Sequence, residues 1–282
     1  MALPAAAKLQ RFRICVEFFG PAFHGWQRLS ARSGLVSVTS VLEEALDRSG
    51  AGKLRGAVVG AGRTDAGVHA LAQVAHFDFE PHNSALDGDV MRRLINFWLP
   101  ASHRKSVHVT DCLVADPAFH ARYDCVARCY SYRIAANTRS QLFQSSLAWQ
   151  IPHRLDLDRV QAAVDLLSGE HDFAAFRAQG CTAQSSVRTL RLSLAADDGH
   201  LAHSLRAGFG LSADGAQNVV VRAESRSFLF RQVRLLVGAL VDVGHGRRSL
   251  ADLRDSLASG KQTKPLRAAP AHGLFFVAAK FA

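Results

Sequence analysis

One short segment of the sequence concentrates the residue types that chemistry needs. Residues 60–70 read Gly-Ala-Gly-Arg-Thr-Asp-Ala-Gly-Val-His-Ala and directly follow a predicted strand. The three glycines allow the backbone to approach a ligand closely, with positive φ where a turn requires it. Arg63 and Asp65 place one cation and one carboxylate two residues apart. A carboxylate that stays ionised can form a covalent intermediate or remove a proton, so this loop is a candidate catalytic site.

Two phosphate-binding interpretations of the same loop fail at named residues. A dinucleotide-binding fingerprint requires its third glycine at position 65, where Asp65 would instead repel a pyrophosphate. Gly62 and Gly67 have the spacing of a nucleoside-triphosphate-binding loop, but Val68 stands where that loop requires Lys. A tight turn in which Asp65 only caps a helix is the non-catalytic alternative, and it stays open at this point.

One enzyme family shares this segment. Residues 62–70, Gly-Arg-Thr-Asp-Ala-Gly-Val-His-Ala, resemble the central signature of the tRNA pseudouridine synthase A family. Shorter elements resemble the family's other motifs, in the family's order, and extend the resemblance over nearly the whole chain. They are His24-Gly25-Trp26-Gln27, Phe119-His120-Ala121-Arg122, Tyr130-Ser131-Tyr132, Asp172-Phe173 with Phe176-Arg177, Gln232-Val233-Arg234 with Gly238, and Ala271-His272-Gly273-Leu274. The central string is highly specific, and the others add weight jointly.

The resemblance implies an activity and a role for four residues. Enzymes of this family isomerise uridine to pseudouridine in the anticodon stem-loop of tRNA, without a cofactor or a metal. By resemblance, Asp65 is the catalytic aspartate, Arg63 occupies the space left by the flipped uridine, and the ring of Tyr130 lies against the uracil. Arg234 is the arginine that pairs with Asp65, since an opposite charge within about 4–6 Å lowers a carboxyl pKa and keeps the group ionised.

Several basic residues are predicted to contact RNA. Arg234 could alternatively bind a phosphate, but that role is assigned here to Arg231, one turn earlier on a helix predicted over residues 228–243. Tyr130 could alternatively be an ordinary strand aromatic, and Tyr132, which faces the same side of the strand, is assigned to the core together with Trp26. The weaker predicted RNA contacts are Arg28, Lys105, Arg122 and Arg177.

The charge of the chain also favours a polyanionic partner. The formal net charge is +10 and the sequence pI is about 10.0, which attracts nucleic acid or an acidic membrane surface. The basic residues are dispersed, which favours a folded basic surface over a basic tail. No apolar run reaches the ~20 residues of a membrane span. The five cysteines contain no CxxC pair and the thirteen histidines no HExxH, so no metal is expected. The family resemblance implies that the partner is tRNA, and no membrane partner is expected.

The hydrophobic periodicity predicts elements of an α/β (α+β) protein that could position the loop. Their order predicts two ferredoxin-like split βαβ domains, residues 1–113 and 114–282. The expected assembly joins their sheets into one extended mixed or antiparallel sheet, with helices on one side and a basic cleft between the domains. Residues 197–215 are predicted to be an exposed excursion. The predicted strands are 12–19, 54–59, 71–79, 106–112, 128–134, 187–194, 218–223 and 274–281, and the predicted helices begin at 38, 90, 155, 228 and 250.

Finer expectations concern relatives, location and assembly. Residues 228–234, Phe-Leu-Phe-Arg-Gln-Val-Arg, resemble eukaryotic members of the family, some of them mitochondrial, which predicts a location in the cytoplasm or the mitochondrion. The family also implies a homodimer. A non-catalytic RNA-binding or chaperone protein on the same fold is the alternative function. The presence of Asp65 argues against it, because binding alone needs no acid near phosphates.

Overall fold

The fold is seen in a computed structural model that describes residues 9–30, 34–137, 142, 145–196 and 217–282. Within these residues the chain forms ten strands and five helices, so the predicted mixed α/β class is confirmed. No helix in this part of the chain is long and apolar enough to cross a membrane. The predicted excursion at residues 197–215 lies outside the described residues.

Two compact units divide the chain. The first comprises Met1–Arg128 with Phe276–Ala282, and the second comprises Cys129–Phe275. The functional boundary predicted after residue 113 stays a prediction. The two units carry different candidate residues.

The first unit contains an antiparallel sheet. Its strands are β1 (Gln10–Phe18), β2 (Gly52–Gly60), β3 (His69–Pro81) and β4 (Val107–Ala115), joined by the C-terminal part of β10 (Leu274–Phe281). Strand β1 pairs with both β3 and β4, and β2 pairs with β3. Every second residue of β1 from position 12 onward is buried, which places one face of the sheet on the core.

Two helices complete the first unit, and local sequence signals set their ends. Helix α1 (Val38–Arg48) begins at the predicted residue, and the side chain of its N-cap Ser37 accepts a hydrogen bond from the backbone of Ser40 in a capping box. Helix α2 (Gly88–Trp98) begins two residues earlier than predicted, because Asp87 caps it. The order β1, α1, β2, β3, α2, β4 and the sheet order β4-β1-β3-β2 are those of the predicted ferredoxin-like arrangement.

The second unit contains a sheet in the order β5-β9-β8-β7, with β6 parallel to β5. Its strands are β5 (Cys125–Ala136, of which the part up to Arg128 belongs to the first unit), β6 (Trp149–Ile151), β7 (Gly169–Asp172), β8 (Val187–Ala196) and β9 (Gln217–Ser225). Strands β6 and β7 were not predicted, since three and four residues are too short to show a period. Gly169 is the first residue of β7 and has φ 102°, a backbone conformation that favours glycine.

Three helices belong to the second unit. They are α3 (Leu157–Leu167), α4 (Gln232–Gly244) and α5 (Leu250–Ser259), which begins at the predicted residue with a capping box between Ser249 and Asp252. Helix α4 is almost wholly buried, since eleven of its thirteen residues are buried. It begins four residues later than predicted, because Arg231 has left-handed backbone angles (φ 58°, ψ 15°) and is the N-cap. The prediction that Arg231 lies inside this helix, one turn before Arg234, is therefore wrong.

Candidate active site

The candidate catalytic loop, residues 61–68, connects β2 to β3 in the first unit. Arg63 is exposed to solvent, whereas Asp65 is partly buried. The amide of Val68 donates to the carbonyl of Asp65 at 3.2 Å, closing a turn that leads straight into strand β3. No helix follows the loop, so the interpretation of Asp65 as a helix cap is wrong.

The segment around Trp26 holds the backbone of this loop on one side. The amide of Trp26 donates to the carbonyl of Thr64 at 3.2 Å, and the amide of Gly67 donates to the carbonyl of Phe23 at 3.3 Å. Gly25 has φ 92°, and a Cβ there would lie 2.7 Å from the Thr64 carbonyl oxygen, so a side chain does not fit. Trp26 is only 1 % exposed, which confirms its assignment to the core. The Gly25-Trp26 pair is therefore a support for the loop.

Two side chains hold the other end of the loop. The amide nitrogen Nε2 of Gln73, on β3, donates to the carbonyl of Gly62 at 2.8 Å, and Gln73 is fully buried. The guanidinium nitrogen Nε of Arg128, on β5, donates to the carbonyl of Ala61 at 2.8 Å. The two carbonyl groups that precede Arg63 are thus held in place by side chains. Sequence reasoning missed both contacts, although a glutamine within an apolar strand was a usable signal.

Arg128 also connects the catalytic loop to a second loop of the first unit. Its Nη2 donates to the carbonyl of Arg122 at 2.7 Å and its Nη1 to the carbonyl of Cys125 at 3.3 Å. The guanidinium of Arg128 therefore connects the backbone at Ala61 to the backbone at Arg122. The side chain of Arg122, a predicted RNA contact, is exposed beside this connection.

A buried histidine supports the same second loop. Nδ1 of His76, on β3, accepts a hydrogen bond from the amide of Ala121 at 3.1 Å. Burial, followed by the nearby positive charges of His120 and Arg11, lowers the pKa of His76 to about 4, against weaker opposing effects of Asp78 and Asp124. His76 is therefore neutral near pH 7 and can accept this hydrogen bond.

The two tyrosines on β5 have different surroundings in the second unit. Tyr130 is 9 % exposed and packs edge-on against Phe228, with ring centroids 5.2 Å apart. Tyr132 is fully buried, and its hydroxyl donates to the carbonyl of Pro270 at 2.7 Å. Burial raises the pKa of Tyr132 far above the ordinary tyrosine value. Its assignment to the core is confirmed.

Helix α4 positions Arg234 in the second unit. Nε of Arg234 donates to the carbonyl of Ala269 at 2.7 Å, and the amide of Ala269 donates back to the carbonyl of Arg234 at 2.9 Å. One turn later, a Cβ on Gly238 would lie 1.9 Å from the carbonyl oxygen of Arg267, so the helix packs directly on this segment. The charge of Arg234 contributes, after burial, to lowering the pKa of His272. Arg234 and Gly238 lie one helical turn apart, so both face the segment 267–269.

The remaining predicted RNA contacts lie at the surface of their units. Arg28 is exposed and forms an ion pair with the buried carboxylate of Glu43 at 2.7 Å, while Arg231 lies over the ring of Phe230 at 5.0 Å. The other three predicted RNA contacts, Lys105, Arg122 and Arg177, are also exposed. Arg63, Asp65, Arg28, Lys105 and Arg122 belong to the first unit, and Tyr130, Arg177, Arg231 and Arg234 belong to the second. Within the described ranges, no three His, Cys, Asp or Glu side chains converge as metal ligands would.

Comparison with known proteins places the chain among proteins with one shared name. A family model described as tRNA pseudouridine synthase matches residues 163–282. The tRNA pseudouridine synthase A of Hyphomonas neptunium is 38 % identical over 269 residues, which are 95 % of this chain and 96 % of that protein. The proteins of the same name from Beijerinckia indica and Ehrlichia canis are 38 % and 34 % identical, each over 95 % of this chain and over 92 % and 98 % of their own.

These relatives are bacterial, so the expected closeness to eukaryotic members is not confirmed. Because the identity exceeds 30 % along nearly the full length of both proteins, the resemblance is not limited to one motif. The chain belongs to the tRNA pseudouridine synthase A family.

Proposed function

We propose that this chain is an isomerase that converts uridine to pseudouridine in tRNA, in the anticodon stem-loop. The observation that carries the proposal is the Asp65 loop. It holds a partly exposed carboxylate on a backbone that Trp26, Gln73 and Arg128 fix through hydrogen bonds. Such fixation favours catalysis because a reacting group must be held close to its productive geometry. The names of the relatives point to the same substrate.

The reaction requires one bond to break and another to form. The bond between C1′ of the ribose and N1 of the uracil breaks, the base turns, and a bond forms between C1′ and C5. The proton of C5 leaves, and N1 ends with a proton. In this proposal Asp65 acts as the carboxylate of the reaction, on the base or on the ribose, and the positive charge of Arg234 keeps it ionised.

The target uridine must leave its stack before it can react. Flipping a base costs a few kcal/mol, so the protein must supply interactions that offset it. We assign Arg63 to the space that the base vacates and Tyr130 to the face of the uracil. Stacking on one aromatic ring contributes roughly 1–3 kcal/mol, which is comparable to the cost of flipping. Arg28, Lys105, Arg122, Arg177 and Arg231 are assigned to the RNA backbone.

The test of the proposal is Asp65→Asn, which removes the charge while keeping the shape of the side chain. We expect no pseudouridine from the variant on unmodified tRNA, with tRNA affinity within a few-fold of the wild type. Asp47→Asn, at an exposed position of α1, is the matched control and should keep full activity. Pseudouridine formed by a clean Asp65→Asn preparation would refute the assignment. A wild-type protein that binds tRNA without modifying it would favour the non-catalytic RNA-binding alternative.

We infer that the chain acts as a homodimer, in which one subunit grips the tRNA body while the other modifies it. Light scattering during size-exclusion chromatography measures the mass in solution, and a monomer at working concentration contradicts this inference. The location in the cytoplasm or the mitochondrion remains a prediction, which cell fractionation tests.

A further inference from the structure

A large aromatic side chain stands in solvent on the loop between β4 and β5. Tyr123 is 73 % exposed, more than any other aromatic side chain in the described residues. The other two tyrosines of the chain, Tyr130 and Tyr132, are buried. A single exposed aromatic is common on protein surfaces and by itself indicates nothing. What distinguishes Tyr123 is the support beneath it.

The ring of Tyr123 rests on a second ring. It stacks on the imidazole of His120, with ring centroids 4.2 Å apart and planes inclined by 27°. Nδ1 of His120 accepts hydrogen bonds from the amides of Arg122 and Tyr123, each at 3.2 Å. Below it lies the ring of the buried His76, 4.6 Å from that of His120. The stack on His120 restrains the ring of Tyr123, which reduces the side-chain entropy that a ligand bound to it would cost.

The same support is connected to the catalytic loop. The guanidinium of Arg128 donates to the carbonyl of Arg122, next to Tyr123, and to the carbonyl of Ala61, at the start of the Asp65 loop. The amide of Ala121 is bonded to His76, whose strand β3 begins directly after that loop. A ligand on Tyr123 would therefore be held by the same framework as Asp65.

At Tyr123 itself, the chemistry of the loop favours an aromatic ligand over a phosphate. The exposed Arg122 of this loop is assigned to the RNA backbone, but the exposed carboxylates Asp116 and Asp124 would repel a phosphate placed beside them. Both already accept backbone hydrogen bonds, Asp116 from Ala118 at 2.7 Å and Asp124 from His120 at 2.7 Å. Tyr123 offers a neutral π surface beside these charged groups. In RNA, the bases whose faces are open to such a surface are unpaired bases of loops and bulges.

We propose that Tyr123, supported by the ring of His120, is a stacking platform for an unpaired nucleobase of the substrate RNA, near the target uridine. The proposal rests on the proposed function for the identity of the RNA. It names a residue outside the four assigned to the reaction, and its role is to bind the RNA.

Substitutions at Tyr123 separate stacking from other roles. Stacking contributes roughly 1–3 kcal/mol per base, so Tyr123→Ala should raise the Kd for tRNA, and the KM, roughly five- to a hundred-fold. Tyr123→Phe and Tyr123→Trp keep a π face and should bind within about two-fold of the wild type, whereas Tyr123→Leu should bind as weakly as Tyr123→Ala. The kcat should stay within a few-fold in all four.

Three further measurements test whether a loss of affinity in Tyr123→Ala comes from lost stacking. Phe97→Ala, which removes another highly exposed aromatic of the same unit, is the matched control and should leave the Kd unchanged. The Tm of Tyr123→Ala should equal that of the wild type, because so little of the side chain is buried. The slope of log Kd against log salt should also be unchanged, since no phosphate contact is lost.

The outcomes that overturn the platform differ from those that overturn the proposed function. Equal Kd for Tyr123→Ala and the wild type, or equal loss in the Phe and Leu variants, refutes stacking at Tyr123. Loss of a dimer in Tyr123→Ala, seen by light scattering, refutes it in favour of a protein interface. If the wild-type protein forms no pseudouridine, the proposed isomerase activity is refuted. If its tRNA affinity nevertheless falls in Tyr123→Ala and not in Tyr123→Phe, the stacking platform is still supported.

Discussion

The backbone carbonyl groups of Ala61 and Gly62 show how a catalytic residue is positioned by residues that do not react. Each accepts a hydrogen bond from a side chain, Arg128 and Gln73 respectively. Since a side chain donor can be removed without changing the backbone, the contribution of each to the geometry of Asp65 is open to measurement. A displacement of about 1 Å at a reacting group can lower a rate by about a hundred-fold.

Gln73→Leu should lower kcat by roughly ten- to a hundred-fold, with the Kd for tRNA within a few-fold of the wild type. The variant leaves the Gly62 carbonyl without its donor from Gln73, so unfolding should also become easier by about 1–3 kcal/mol. Gln161→Leu, at an exposed position of α3, is the matched control. Single-turnover rates at saturating enzyme separate kcat from binding. A weaker Kd with an unchanged rate would show that Gln73 does not position the loop.

His76 predicts a dependence of stability on pH. Its folded pKa of about 4 lies below the ordinary value of 6.5, so the unfolded chain binds more protons between these values. Stability should therefore fall as the pH falls from about 6.5 toward 4, by on the order of 2 kcal/mol. Urea unfolding at pH 7 and pH 4.5 measures this loss. His76→Gln keeps an acceptor for the Ala121 amide but does not titrate, and its loss should be smaller. An equal loss in both proteins would assign the effect to other groups.

At the scale of elements, the close packing of helix α4 is what holds Arg234 in position. Its burial is nearly complete, and Gly238 lets it approach residues 267–269 closely enough for Arg234 to bond with Ala269 in both directions. A buried helix of this kind can hold Arg234 steady, whereas an exposed helix end frays. The contact explains why a glycine stands in the middle of a helix, where it is intrinsically unfavourable.

Gly238→Ala tests this packing. In an exposed helix the change would stabilise the protein by about 1 kcal/mol. Here the new methyl group would meet the Arg267 carbonyl oxygen at 1.9 Å, so we expect a loss of a few kcal/mol and a lower Tm. The reverse change at an exposed helical position, Ala251→Gly, measures the intrinsic difference in helix propensity between alanine and glycine in this protein. A Gly238→Ala variant as stable as the wild type would rule out the close approach.

At the scale of the whole molecule, the charge of +10 sets the strength of binding to any polyanion. Each phosphate that a cation neutralises releases counterions, so affinity for tRNA should fall steeply as salt rises. A protein with several phosphate contacts loses at least roughly ten-fold in affinity between low and physiological ionic strength. The charge is spread over both units, because predicted contacts such as Arg122 and Arg177 lie on different ones.

Salt titrations of tRNA affinity test this use of the charge. Arg122→Ala and Arg177→Ala should each reduce the slope of log Kd against log salt by about one. Arg48→Ala is the control, since its guanidinium pairs with Glu44 on α1 and is assigned no phosphate. A flat response of the wild type to salt would contradict the polyanion interpretation, and a changed slope in the control would show that net charge alone is responsible.

The sequence by itself determined the features whose causes are local. The starts of helices α1 and α5, which Ser37 and Ser249 cap, and most of the strands follow from residues that are close together in the chain. The same holds for the Asp65 signature, which is a continuous string, and for the family that it indicates. Local hydrogen bonds and alternating burial leave a pattern in the order of residues, so these predictions needed no three-dimensional information.

Tertiary structure alone decided the contacts that join distant residues. Arg128 bonds to the carbonyl of Ala61 from 67 positions away, and no pattern in the chain marks that pair. Strands β6 and β7 exist because a neighbouring strand completes their hydrogen bonds, and Arg231 leaves helix α4 although the apolar pattern continues through it. A hydrogen bond between residues far apart depends on where folding brings them, so the support of the catalytic loop is visible only in the folded protein.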